Sequence, residues 1–294
     1  MRIVFIGTVQ FSYHTLRQVL KNNGDVCGII TMRESVYNSD YADLTPIALQ
    51  YDIPIYYCNN VNDSECIEWI KKLKPDIIFC WGWSQLLKEE ILNLSPMGVV
   101  GAHPALLPHN RGRHPLIWTL VLGLKESGLT FFFMDQGADS GPILSQRKFE
   151  IDIGDTAATL YKKIEDCADE QIADFLPRLI NGNYDKIEQE CSKANYWRKR
   201  TKADGRIDWR MSSLAIYNLV RALTKPYPGA YFEYDGNNII VWQAKLVNKK
   251  ISMNIEPGKV IDVTQNGIMV KTYDGAIVIS DYEPKINLDK GVYL

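Results

Sequence analysis

Residues 1–31 read MRIVFIGTVQFSYHTLRQVLKNNGDVCGIIT, and this stretch decides the fold class. The apolar run Ile3–Ile6 is short and stops at Gly7, as a buried strand does. Ser12 is read as an N-cap opening a helix to about Lys21, with Leu16, Val19 and Leu20 on one face. Val26–Thr31 is a second strand. The pattern then repeats. Ile55–Tyr57 reads as a strand. Residues 62–73 read as a helix with Cys66, Trp69, Ile70 and Leu73 at helical spacing. Lys74-Pro75-Asp76 breaks into the buried strand Ile77–Cys80, and Val99–Ala102 and Leu129–Met134 follow. This alternation predicts an α/β domain with an open, mostly parallel sheet and helices on both faces. Ligands of such sheets collect at the carboxyl ends of the strands, so the segments after Gly7, Cys80, Ala102 and Met134 are expected on one rim.

A helix follows Gly154-Asp155, carrying Leu160, Ile164, Cys167, Ile172 and Phe175, with Pro177 expected to kink or restart it. Asn181-Gly182 stops it, and residues 183–203 read as a polar connector. The texture then changes. One helix, Ser213–Leu223, precedes short strands at 230–234, 239–246, 258–263, 267–272 and 276–279, with Asp235-Gly236 and Asp274-Gly275 as turns. That pattern predicts a smaller β-barrel-like module of OB type. The expected division is 1–200 and 201–294.

The whole chain has 294 residues, 46% hydrophobic and 23% charged, which are globular values that exclude a mainly disordered protein. No apolar run is long enough for a membrane span, and the opening run gives way to a polar helical pattern, so it is read as a strand and not as a signal peptide. Thirty-three basic against 35 acidic residues argue against a protein built mainly to grip nucleic acid. Six cysteines without a C-x-x-C pair predict reduced, mostly buried thiols in a cytoplasmic protein.

Chemistry concentrates in two loops. Residues 102–115, AHPALLPHNRGRHP, hold three of the four histidines: His103, His109 and His114. Prolines and glycine stiffen this loop, so a histidine there presents one ring nitrogen to a substrate while the other is held. The histidine spacing lacks zinc-ligand logic, and no metal is expected. Residues 134–142, MDQGADSGP, form a second loop able to bring a carboxylate to His103. A His–Asp pair favours the imidazolium and fixes the ring tautomer, as a general acid/base needs.

The segments HPALLPHNRGRHPLIW, TFFFMDQGADSGPIL and RIVFIGT resemble the folate-dependent formyltransferases, whose signature has the form N-x-H…SLLP…RG…AP followed by D-x-G-x-D-[TS]-G. DGRIDW (204–209), Arg221 and PYPGA (226–230) resemble the C-terminal domain of methionyl-tRNA formyltransferase and of amino-sugar N-formyltransferases. The likeness covers most of residues 1–245. It implies a Rossmann-like catalytic domain with 10-formyltetrahydrofolate as donor, His103 and Asp139 as the catalytic pair, and no metal. The family's asparagine falls on Gly101, which has no side chain. Asn110, His109 or a backbone N–H then serves in its place, and Asn110 is taken as the third catalytic residue. Trp81, Gly82, Trp83, Ser84 and Gln85, with Asp135 and Gly137, are expected on the folate side. Arg113, Phe11, Ser12 and Tyr13 are expected near the acceptor.

The acceptor is read from charge. Residues 32–43 hold one basic and three acidic residues, where a tRNA enzyme needs a basic insertion. R-G-R followed by H-P-L-I-W also resembles the sugar enzymes. The expected acceptor is a nucleotide-linked amino-deoxysugar, a UDP- or dTDP-linked 4-amino-4,6-dideoxyhexose for a surface glycan. Methionyl-tRNA is the alternative, and an inactive folate- or nucleotide-sugar-binding homologue is a further one, kept open by Gly101. The resemblance allows a homodimer and implies no membrane partner.

Overall fold

The computed structural model describes residues 1–34 and 39–294, so part of the acidic 32–43 stretch, residues 35–38, lies outside the described residues. The chain divides into two compact units. The first comprises Met1–Pro115, Glu126–Glu150 and Lys162–Trp197, and the second Leu116–Lys125, Ile151–Tyr161 and Arg198–Leu294.

In chain order the elements are β1 Arg2–Ile6, α1 Gln10–Lys21, β2 Asp25–Thr31, α2 Thr45–Gln50, β3 Ile55–Tyr57, α3 Ser64–Leu73, β4 Ile77–Cys80, α4 Glu89–Leu92, β5 Val99–His103, β6 Arg111–Gly112, α5 Pro115–Val121, β7 Glu126–Phe133, β8 Ile143–Glu150, α6 Ala157–Ile180 and β9 Tyr196–Trp197. After them come α7 Ser213–Leu223, β10 Ala230–Tyr234, β11 Asn237–Leu246, β12 Val260–Thr264, β13 Gly267–Lys271 and β14 Ala276–Glu283.

The first unit holds a seven-stranded sheet in the order β3-β2-β1-β4-β5-β7-β8. The pairings from β3 to β5 are parallel, and β5–β7 and β7–β8 are antiparallel, so the sheet is mixed. Strand alternation sends Val4, Ile6, Ile78, Cys80 and Val99 to one face, against Ile67 and Ile70 of α3 and Ile91 of α4. The opposite face carries Phe79, Trp81 and Phe131, whose rings pack with Phe175 of α6. Helices therefore cover both faces, as the apolar strands require.

Three local expectations are corrected. Ser12 is not the N-cap: α1 starts at Gln10 after Val9, and the buried Ser12 hydroxyl accepts from the Thr8 and Val9 N–H groups and donates to the Trp81 carbonyl. Pro177 does not interrupt α6, which runs 24 residues through it; burial of Ile172, Phe175, Leu176 and Leu179 holds the last turns on the sheet against the lost hydrogen bond. β7 runs antiparallel to β5, with His103 opposite Thr130 and Val100 opposite Phe133. The segment after Met134 therefore leaves below His103 and must climb back to reach it.

In the second unit, β10 to β14 form an antiparallel sheet in the order β10-β11-β14-β13-β12. The DGRIDW stretch has local work here. Asp204 accepts from Arg198 and from the Thr201 N–H, Ile207 pairs with the Tyr231 carbonyl, and Trp209 packs edge-on against Phe232. Buried Arg221 donates to Asn218 and to the carbonyls of Asp152 and Asp155, tying the 152–155 turn to α7.

Thiol reactivity checks this packing. Burial pushes the Cys80 thiol up to about 12 and the Cys167 thiol up to about 11, while Cys191 is exposed. Only thiolate reacts with an aromatic disulfide reagent. At pH 8 Cys191 is expected to react first, and Cys80 and Cys167 only after denaturant is added. Prompt labelling of Cys80 in the native protein would contradict the placement of β4.

Candidate active site

His103 is the last residue of β5 and is buried, 4% exposed. Its Nε2 lies 2.7 Å from the carbonyl oxygen of Asn110, and its Nδ1 lies 3.6 Å from Oδ2 of Asp139. Both ring nitrogens therefore face acceptors. A neutral ring donates to only one of them, whereas an imidazolium donates to both. The ring is held at Nε2 by the Asn110 carbonyl, and its Nδ1 is turned toward the Asp139 carboxylate.

Asp139 sits on the loop between β7 and β8 in the left-handed region, φ 55°. Its Oδ2 also accepts from the Gly112 N–H at 2.9 Å. Gly112 needs its own residue type: φ is +101°, and a Cβ there would stand 2.4 Å from the Trp197 carbonyl oxygen. The Ala105–Leu107 segment is pinned from below. Thr130 donates to the Ala105 carbonyl and accepts from the Leu107 N–H, and Gln146 donates to the Leu107 carbonyl.

Gly101 lies two residues before His103 on the same face of β5, opposite Phe132 of β7. A Cβ there would stand 3.0 Å from the Phe132 ring and 3.0 Å from Met134. The space beside His103 is thus filled from β7 and its following loop. Asn110 lies next to His103 through its carbonyl, and its side-chain oxygen accepts from Asn195.

The donor-side residues divide. Trp81 is fully buried, stacked on Phe79, so its indole belongs to the core. Gly82 has φ +73°. Trp83 is half-buried with its Nε1 buried and unpartnered. Gln85 accepts from the Val61 N–H and donates to the Asn59 carbonyl, and Asp135 accepts from Gly137 N–H and the Ser140 hydroxyl. Arg113 donates to the Ser84 carbonyl at 2.8 Å, joining the R-G-R loop to this loop. Of the acceptor-side trio, Ser12 and Phe11 are buried and Tyr13 is half-buried. Thr8 and Thr31, at the carboxyl ends of β1 and β2, have buried hydroxyls without partners, as does the Trp83 N–H after β4. This rim therefore keeps unused hydrogen-bonding groups. Among the described residues no group of three or more His, Cys, Asp or Glu stands together as metal ligands. Two open clefts, of about 660 and 550 Å³, lie elsewhere, one beside Met1, Asp76 and Tyr184 and one between Arg206, Trp209 and Glu233.

Sequence reading treated residues 183–203 as connector and missed what part of it does. Ile187 pairs with Ile143, Gln189 contacts both the 102–115 and the 134–142 loops, Asn195 bonds Asn110 twice, and β9 pairs with β6. The available signal was Tyr196-Trp197: two large aromatics in a polar segment do not suit a solvated linker.

A family model described as "Formyl transferase" matches residues 1–176, and one described as "Formyl transferase, C-terminal domain" matches residues 199–288. Among solved structures, an N-formyltransferase from Helicobacter canadensis, in complex with folinic acid and dTDP-3-aminofucose, is similar at 21% identity with a TM-score of 0.73, covering 95% of this chain and 98% of that one. WlaRD, a sugar 3N-formyl transferase crystallised with dTDP and 5-N-formyl-THF, is 21% identical with a TM-score of 0.71, covering 97% and 99%. HypX from Aquifex aeolicus, in complex with tetrahydrofolic acid, is 19% identical with a TM-score of 0.68, covering 96% of this chain and 44% of that one. At these identities the likeness is one of fold.

Proposed function

We infer the function from one premise: this chain belongs to the formyl transferase family. It moves a formyl group from 10-formyltetrahydrofolate to the primary amine of a nucleotide-linked amino-deoxysugar. The observation that carries this reading is the His103–Asp139 pair at 3.6 Å. Likeness over nearly the full length to an N-formyltransferase crystallised with dTDP-3-aminofucose and to a sugar 3N-formyl transferase crystallised with dTDP supports the acceptor class.

10-Formyltetrahydrofolate supplies the formyl carbon. His103 takes the proton shed by the attacking amine and returns one to the departing nitrogen, and Asp139 stabilises the ring while it is charged. Asn110, whose carbonyl already meets His103, is assigned to the formyl oxygen where Gly101 offers no side chain. Trp83, Gly82 and the Ser84 backbone, with the Asp135–Gly137 turn, form the folate side. Arg113 is assigned to the acceptor, a guanidinium suited to a diphosphate. The C-terminal sheet is read as a curled, OB-type support. The protein is assigned to the cytoplasm, and among the described residues no helix is long and apolar enough to cross a membrane.

The test is mass spectrometry after incubation with formyl donor and a panel of UDP- and dTDP-linked 3-amino and 4-amino sugars. One member is expected to gain a formyl group, and methionyl-tRNA to be a poor substrate at physiological salt. Efficient formylation of charged initiator tRNA with no gain on any sugar would overturn the acceptor assignment.

A further inference from the structure

His103 and Asp139 come from different loops, and the 3.6 Å between them depends on how those loops are held together. One side chain outside both loops touches both. Gln189 Oε1 accepts from Arg111 Nη2 at 2.7 Å and from Arg111 Nε at 3.2 Å. Its Nε2 donates to the Asp139 carbonyl at 3.0 Å and to the Gly141 carbonyl at 2.7 Å. We propose that Gln189 is a positioning residue for the reaction: its amide fixes the backbone of Asp139 relative to the loop of His103, and so sets the acid/base distance. The proposal rests on the formyl-transfer reading for its kinetic consequence but not for its geometric one.

Four features support it. The amide cannot flip, because guanidinium only donates and carbonyls only accept. The contact is buried, with Gln189 9% and Arg111 2% exposed, so water does not readily replace it. Asp139 holds a left-handed backbone, φ 55°, which a non-glycine residue keeps only when its surroundings impose it. The Arg111 loop is in turn fixed by residues 195–197, which follow Gln189 in the chain. Asn195 Oδ1 accepts from the Asn110 N–H at 2.8 Å, Tyr196 Oη accepts from Arg111 Nη1 at 2.9 Å, and Arg113 N–H donates to the Trp197 carbonyl at 3.0 Å. Asn110, whose carbonyl receives His103 Nε2, therefore belongs to the same frame as the carboxylate facing Nδ1.

Gln189→Glu separates position from packing. It keeps the side-chain length and both Arg111 contacts, yet turns a carboxylate oxygen toward two carbonyl oxygens. Gln189→Met is the companion: it removes all four contacts without adding charge. The readouts are kcat, acceptor KM, Tm and the imidazole ¹H–¹⁵N signals of His103, assigned by comparison with His103→Asn. Loss of alignment by a fraction of an ångström is expected to lower kcat about 100-fold with acceptor KM within about threefold. The His103 signals should move in both variants while Tm stays above the assay temperature. Wild-type kcat and unmoved His103 signals overturn the proposal, and so does unfolding of both variants at the assay temperature, which would make Gln189 a fold residue. If the wild-type protein formylates no sugar, the functional reading fails on its own, and the His103 spectra still decide this inference: moved signals support it and unmoved signals overturn it.

Discussion

His103→Asn and Asp139→Asn are each expected to lower kcat for formyl transfer by at least about 100-fold, the usual scale for a lost acid/base group, with Tm close to wild type. The two variants fail for different reasons. Asparagine at 103 has no nitrogen that can take up a proton at neutral pH. Asparagine at 139 keeps the shape and can still accept the Gly112 N–H, but it removes the negative charge from the acceptor facing His103 Nδ1. The fold survives because neither side chain builds the core. His103 ends β5 with its ring toward Asn110, and Asp139 lies on a loop whose backbone carbonyls accept from the Gln189 side chain. Kinetics on the responsive amino sugar, with Tm by calorimetry, check both statements. Near-normal turnover in either variant would remove that residue from the mechanism. Because the two groups act as a unit, the double variant should be little slower than the worse single one.

The apolar strands were legible because their periodicity is strong. β1, β2 and β4 lie within a residue or two of their sequence-read limits, since Ile3–Ile6 or Ile77–Cys80 between polar or turn residues has few other ways to be buried. β8 was not legible: ILSQRKFE buries its first residues and leaves most of the rest exposed, so it carries no apolar run. Its partner β7 could be read as a strand, but its direction could not, because direction follows from the connection and not from composition. The two candidate loops, 102–115 and 134–142, stood out by their density of histidine, glycine and aspartate. The frame that joins them did not. Gln189 and Asn195 act through long-range polar contacts to backbone groups and to the Arg111 and Asn110 side chains that local sequence does not mark, and buried Arg111 reads in sequence like any loop arginine. The Ser12 reading failed for a related reason. Its hydroxyl does cap two N–H groups, but from inside the first turn, and the third bond to the Trp81 carbonyl belongs to tertiary structure.

Gly101→Asn is expected to lose stability and turnover together, although it restores the residue type the family signature carries there. The new Cβ would meet the Phe132 ring and Met134 at 3.0 Å, tighter than ordinary contact. β5 is paired on both sides at this point, with Cys80 and with Phe132, so its backbone cannot retreat. Overpacking of this kind costs about 1–3 kcal/mol, and an amide left short of partners in a buried place adds about as much. A fall in Tm of roughly 2–10 °C follows. Turnover falls with it, because Met134 opens the loop that carries Asp139, and a displaced Met134 moves the carboxylate away from His103. Phe132→Val in the same chain tests the cause. Removing the ring reopens the space, so the double variant should regain Tm relative to Gly101→Asn alone, and its turnover should rise if the new amide reaches the formyl oxygen beside His103. A single variant with wild-type Tm would mean that Phe132 and Met134 yield freely. With both the crowding and its relief measured, the glycine is explained by what β7 and its loop place above it.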